Sequence, residues 1–132
     1  MNQSQSAPTP TDVRVVVLGA STKGERYANQ AVGELVRHGY ADTVPVHPSG
    51  RAVHGKETRT SLSEVDGPVH TITVYLSATN STPLIDDLLA LHPRRVVLNP
   101  GAENAALKQR AEAEGVEVVE ACTLVMLNLG QF

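Results

Sequence analysis

At five places along this chain an apolar, mostly β-branched run breaks off into small or polar residues. Gly19, Ala20, Ser21 and Lys23 follow Val15-Val16-Val17-Leu18, and His47-Pro48 follows Thr43-Val44-Pro45-Val46. Ser77 follows Thr71 to Leu76; Asn99, Gly101 and Asn104 follow Arg95 to Leu98; Cys122 comes after Val116 to Val119. The chemistry such junctions offer is that of holding an anion. The first junction leads into a segment of helical period, where first-turn N–H groups lack intrahelical acceptors and sit at the positive end of the helix dipole. A phosphate placed there gains several donors at once. Gly19 and Gly24 let backbone and ligand approach, and Ser21 adds a hydroxyl. The spacing Gly-x-Ser-x-x-Gly meets two of the three glycine positions of a dinucleotide-binding fingerprint. A plain strand-to-helix turn would carry similar residues, because any βαβ unit needs a compact turn at this point.

Other chemistries find less support. No Tyr-x-x-x-Lys pair and no paired carboxylates stand ready to move a proton, so no catalytic residue is assigned. His38, His47, His54, His70 and His92 are scattered without the short spacings of a zinc site, and the single cysteine cannot complete a thiolate set, so no structural metal is expected. That lone cysteine also forms no intrachain disulfide, in keeping with a reducing, cytoplasmic compartment. The charges, 11 Lys+Arg against 14 Asp+Glu, give a formal net of -3, which excludes bulk attraction to nucleic acid or to an anionic membrane. No apolar run approaches the ~20 residues that span a bilayer.

The elements that must position these junctions can be read from periodicity. Residues 1–12, rich in Gln, Ser, Thr and Pro, read as a flexible tail, and 13–132 as one domain with one core. A first strand ends at Leu18. A helix-like segment from Glu25 to His38 follows, with Ala28, Ala31, Val32, Leu35 and Val36 as its apolar stripe and Gly39 as its C-terminal stop. Thr43 to His47 is a second strand, which Pro45 weakens or confines to an edge because it lacks a ladder donor. Residues 51–66 are polar and hard to place, with Ser61-Leu62-Ser63-Glu64 as a one-turn helix. A third strand, Thr71 to Leu76, leads to a helix capped by Asn80 or Ser81 with Pro83 in its first turn. Arg95 to Asn99 is a fourth strand, Pro100-Gly101-Ala102-Glu103-Asn104 opens a helix running to Glu114 and closed by Gly115, and Val116 to Val119 is a fifth strand. Alternating strands and helices predict right-handed βαβ crossovers, hence an α/β, Rossmann-like domain with a five-stranded parallel sheet, order 3-2-1-4-5, and helices on both faces. In that order the switch point, where ligands bind at the carboxyl ends of strands, falls between strands one and four.

The second strand then bears on the ligand. An ordinary NAD site has Asp or Glu at its tip to accept from the ribose hydroxyls. Here His47 stands at the tip, with Arg51, His54 and Lys56 close behind, a setting for an extra phosphate on the ribose. Coenzyme A carries such a phosphate at the 3′ position and NADP at the 2′ position, so both stay open. Arg51 and Lys56 as plain solvated charges are the alternative.

Val17-Leu18-Gly19-Ala20-Ser21, the strand ending in His47-Pro48, Ser61-Leu62-Ser63-Glu64-Val65, Gly101-Ala102-Glu103-Asn104-Ala105-Ala106 and the lone Cys122 stand in the same order as in the CoA-binding domain family. The chain resembles that family from about Val13 to Cys122. The family is similar to the nucleotide-binding domain of the succinyl-CoA synthetase α subunit. The resemblance implies a Rossmann-like domain that holds coenzyme A non-covalently. Gly19, Ala20, Ser21 and Lys23 would then meet the diphosphate, His47 and Pro48 the adenosine, and Asn99, Gly101 and Asn104 the wall near pantetheine. The chain departs from the family's usual pattern at His47, where asparagine is common, at Glu120-Ala121-Cys122-Thr123, where Asp-Arg-Cys-Pro is frequent, and at Leu76-Ser77-Ala78, where an arginine often follows the third strand.

Three functions follow as expectations. One is a small stand-alone protein that binds coenzyme A or an acyl-CoA and performs no reaction of its own; Cys122 would then be either a small buried filler or a thiol within reach of the pantetheine sulfur. Another is a minimal NADP-binding reductase. The third is a CoA-binding subunit that works only with a larger partner. The apolar segment Thr123 to Phe132 is expected to pack on its own core, to pair two copies as a homodimer, or to dock on that partner.

Overall fold

The computed structural model describes residues 12–132, so the expected tail lies outside the described residues except for Asp12. Five strands, β1 (Arg14–Leu18), β2 (Asp42–Val46), β3 (Thr71–Val74), β4 (Arg95–Leu98) and β5 (Glu117–Glu120), form one parallel sheet. The five-stranded, Rossmann-like parallel sheet expected from the sequence is therefore present. Its order is 2-1-3-4-5 rather than 3-2-1-4-5: β3 lies between β1 and β4, and β2 is an edge. Burial explains the difference. All four residues of β3 are buried, Ile72 and Val74 on one face and Thr71 and Thr73 on the other, so this strand needs cover on both faces and a neighbour on both sides.

Pro45 fits the edge. Its carbonyl points away from β1 and accepts from Arg59 N at 3.0 Å, and in a parallel ladder its absent N–H would point the same way, so the proline deprives β1 of nothing. The chain around Arg59 covers that edge, and His47 N donates back to the Arg59 carbonyl at 2.9 Å.

Alternation along the strands makes two cores. Val15 and Val17 face a cluster with Val32 and Leu35 of helix α1 (Tyr27–Arg37) and Leu127 of α5 (Thr123–Asn128). Val16 and Leu18 face the other layer. There they meet Leu62 of a 3-10 turn (Leu62–Glu64), Ile85 and Leu88 of α3 (Ile85–Leu89), and Leu107 and Ala111 of α4 (Ala105–Ala113). The one-turn helix expected near Ser61 is that 3-10 turn. The C-terminal segment packs on its own core: α5 lies against α1, and Phe132 sits edge-on to Tyr40 with the Arg95 guanidinium 4.4 Å above its ring.

Several boundaries shift. Helix α1 begins at Tyr27, not Glu25, because Lys23 to Arg26 close a separate turn in which Arg26 N donates to the Lys23 carbonyl. Val36 is exposed and leaves the buried stripe to Ala28, Ala31, Val32 and Leu35. After β3 the chain coils at once, with α2 (Ala78–Ser81) starting behind Ser77, so Pro83 falls in a 3-10 turn (Thr82–Leu84) rather than in a first helical turn.

The hard-to-place segment contains a tight hairpin. Val53 and Lys56 exchange backbone hydrogen bonds around His54 and Gly55, whose φ values are +48° and +74°. Two positive φ values in the middle of a turn are the geometry that glycine, and less often histidine, tolerates.

Candidate functional site

Because every strand is parallel, the five junctions lie along one edge of the sheet, and the 2-1-3-4-5 order moves the switch point to the gap between β1 and β3. The loops after those two strands meet there. Gly19 adopts φ +89° and packs against Leu76, and its N–H and that of Ala20 both donate to the Val46 carbonyl at 3.0 and 3.2 Å. Those two amides therefore fasten the loop to β2 and are not available to a ligand. Ser21 Oγ accepts from Lys23 N at 3.1 Å. The amides of Ser21, Thr22, Tyr27 and Ala28 have no acceptor within the described residues. They are the free donors of this junction. Gly24 adopts no special conformation, and a Cβ there would meet nothing, so the loop's last glycine answers no packing need.

Three clefts share the walls of this loop. The central one, about 470 Å³, is lined by Gly19, Ala20, Ser21, Lys23, Arg26, Tyr27, Ala28, His47, Tyr75, Leu76 and Pro100. A second, about 400 Å³ and mainly apolar, lies between His47-Pro48 and the Thr60-Ser61-Leu62 strap, with Leu18, Val46, Leu76 and Leu84 as its body and Asn80 and Asp87 at its rim. The third, about 230 Å³, is bounded by Ser21, Thr22, Lys23, His47, Ser49 and Arg51 and carries two full positive charges. His47 borders all three. Its Nδ1 accepts from Ser49 N at 3.0 Å, which leaves the ring's hydrogen on Nε2.

Of the residues expected from the sequence, Gly19, Ala20, Ser21, Lys23, His47, Pro48 and Arg51 come together around these clefts. The others do not. The Lys56 ammonium donates to the Ala41 carbonyl, at the start of β2 and therefore at the opposite edge of the sheet. Asn99 is buried. Its Nδ2 donates to Thr73 Oγ1 at 2.7 Å and to the Val74 carbonyl at 2.9 Å, while its Oδ1 accepts from Thr123 N at 2.8 Å, so it ties β3, β4 and α5 together. Asn104 is also buried. It caps α4 through Leu107 N and donates to Ser81 Oγ and Thr82 Oγ1. Ser77 is exposed behind Leu76, and Gly101 N is taken up by Glu103 Oε1 at 3.0 Å. Cys122 is half-buried ahead of α5, at the end of β5, and borders none of the three clefts.

The sequence reading missed Arg26, Tyr27, Tyr75 and Leu76. Arg26 is a cation in the first loop, a signal that was there to be used. Tyr75 enters the central cleft only because β3 lies beside β1. Burial pushes its phenol up to about 12, and the nearby Cys122 thiol adds to the rise. The Thr73 and Thr123 hydroxyls beside it lower the value somewhat but bond each other at 2.7 Å, leaving the Tyr75 hydroxyl without a well-formed partner. Among the described residues, no His, Cys, Asp and Glu side chains gather in a group able to hold a metal, and no helix is long and apolar enough to cross a membrane.

A model of the CoA binding domain family matches residues 13–128. No curated protein matches. Among solved structures, an uncharacterized protein is 36% identical and superposes with a TM-score of 0.85, over 91% of this chain and 98% of its own. The cell-free ID.343 protein from Thermus thermophilus is 25% identical, with a TM-score of 0.80 and 93% of each chain covered. The dinucleotide forming acetyl-coenzyme A synthetase 1 of Ca. Korarchaeum cryptofilum, in complex with phosphate and ADP, is 20% identical at a TM-score of 0.71. The match takes in 82% of this chain and 25% of the synthetase, and it establishes likeness of fold.

Proposed function

This chain belongs to the CoA binding domain family, and on that premise we propose that it is a small coenzyme A or acyl-CoA binding protein with no reaction of its own. The observation that carries the reading is the junction at His47. An apolar cleft and a cationic cleft flank this residue, and both share lining residues with the central cleft over the first loop. A molecule with an apolar ring, a ribose phosphate and a diphosphate matches that division. The adenine lies in the apolar cleft against Pro48 and Leu62. The 3′-phosphate lies beyond the tip of β2 near Arg51 and Lys23. The diphosphate lies over the free Ser21, Thr22, Tyr27 and Ala28 amides, where the central and cationic clefts share the first loop and the dipole of the 11-residue helix α1 favours negative charge. The pantetheine arm then leaves past Tyr75, Leu76 and Pro100.

A reductase reading has less behind it. Tyr75 is the buried one of the two phenols lining the central cleft, and a group held protonated up to about pH 12 with its hydroxyl buried is a poor proton donor near neutrality. Dependence on a second copy or a larger partner has one observation in its favour: Val125 on α5 and Leu129 just past its end are 53% and 62% exposed.

The test is twofold. Mass spectrometry identifies the small molecule that copurifies with the protein, and calorimetry compares coenzyme A, dephospho-CoA and NADP. Coenzyme A as the copurifying ligand and the tightest of the three supports the reading; NADP in that place overturns it. Sedimentation at several concentrations decides the question of a second copy.

A further inference from the structure

We propose that Asn29 and His54 are positioning residues that hold the phosphate loop in its binding conformation, an inference that rests on the coenzyme A reading. Neither residue borders the three clefts around the loop. Asn29 is a polar residue on the buried side of α1, and its Nδ2 donates to the Ser21 carbonyl at 2.8 Å. With the amide nitrogen so committed, Oδ1 faces His54 Nε2 at 2.9 Å and must accept from it. The histidine is therefore the donor, as the Nε2–H tautomer or as the imidazolium.

The route by which His54 reaches this place is specific. The tight hairpin puts His54 at φ +48°, and its ring lies on α1 at Gly33, where a Cβ would come within 2.9 Å of Cε1. Any larger residue at position 33 would push the ring away. A glycine inside a helix is unfavourable relative to alanine, and here that deficit makes room for the ring.

Peptide planarity converts this strut into donor placement. The carbonyl of Ser21 and the N–H of Thr22 belong to one planar unit and point in opposite directions. Fastening the carbonyl towards α1 turns the Thr22 amide away from it, on the stretch of loop that borders the Lys23 and Arg51 cleft. The Thr22 amide has no acceptor within the described residues. Beyond Gly19 and Ala20, which are fastened to the Val46 carbonyl, the loop's other ties are short-range, Lys23 N to Ser21 Oγ and Arg26 N to the Lys23 carbonyl, together with the long contact of Gln30 Nε2 to the Gly24 carbonyl at 3.4 Å. Without Asn29 the Ser21–Thr22 peptide is free to rotate, and a phosphate loses a donor held ready for it.

The experiment measures Kd for coenzyme A and ADP by calorimetry, and for adenosine by NMR titration, in the wild type and in Asn29→Ala, His54→Phe and His54→Gln. Circular dichroism and thermal melts accompany each protein. Glutamine carries an N–H at the reach of His54 Nε2, so it tests the donor rather than the ring. Asn29→Ala and His54→Phe should each weaken coenzyme A and ADP roughly five- to tenfold, the worth of about one hydrogen bond, and leave adenosine unchanged. His54→Gln should restore most of the loss. Equal losses for adenosine and ADP, no loss at all, or a glutamine variant as weak as the phenylalanine one would overturn the proposal while coenzyme A binding by the wild type stands. If the wild type binds neither coenzyme A nor ADP, the functional reading fails and takes this inference with it. Should Asn29→Ala not fold, the two His54 variants decide alone, since that side chain is on the surface.

Discussion

A Cβ built on Gly19 would lie 2.9 Å from Leu76 Cδ2, closer than real side chains approach, and the backbone there is held at φ +89°. The loop after β1 and the loop after β3 thus touch at a point where only glycine fits. Gly19→Val should lower stability by about 2 kcal/mol or more, from left-handed backbone strain and the forced shift of Leu76. Urea unfolding measures it. A valine variant as stable as the wild type would show that the β1–β3 junction yields freely.

Arg51 and Lys56 are five residues apart in sequence but serve opposite edges of the sheet. Arg51→Ala should raise Kd for coenzyme A roughly tenfold or more, the loss of one charge-assisted contact, with little effect on dephospho-CoA. Lys56→Ala should leave both ligands unchanged, because its ammonium sits at the Ala41 carbonyl, ~16 Å along β2 from the tip. Calorimetry on the four pairs checks this, and a phosphate-selective loss in the Lys56 variant would contradict the placement.

Asn99 should matter for stability. Its replacement by alanine strands the Thr123 amide in the interior, while the Thr73 hydroxyl keeps Thr123 Oγ1 and the Val74 carbonyl keeps the backbone N–H of residue 99. We expect a loss of about 1–3 kcal/mol in urea unfolding, set by the unsatisfied buried amide and the lost side-chain bonds rather than by lost ligand contacts. A drop below 1 kcal/mol would mean that these groups find other partners at little cost.

His70 makes a pH prediction. Burial, with Arg95 and Arg94 nearby, holds its pKa below the ordinary 6.5 in the folded protein. The unfolded chain therefore binds the proton first, and stability falls as pH drops below about 6.5. His70→Gln should flatten the dependence of Tm on pH between 7 and 5. An unchanged slope would assign the effect to another group.

Strand and helix identity, the parallel sheet and the loop edge were legible because they depend on local pattern: β-branched runs, a 3.6-residue stripe, and glycine or proline at the breaks. The family was legible for the same reason, as an ordered set of short motifs. Strand order was not read correctly, although Pro45 spoke against an inner β2 and the unbroken burial demand of Thr71 to Val74 spoke for an inner β3. Adjacency depends on which crossover passes over which face, and that is settled by packing between distant segments. The same holds for the site. Sequence placed Gly19, Ser21, Lys23, His47 and Arg51 at strand tips, where topology alone brings them together. It could not tell that Asn99 and Asn104 spend every donor on the fold, that Lys56 turns back along the edge of β2, or that Tyr75 reaches the central cleft. Those are outcomes of hydrogen-bond competition and of side-chain reach in three dimensions, which residue type and spacing leave open.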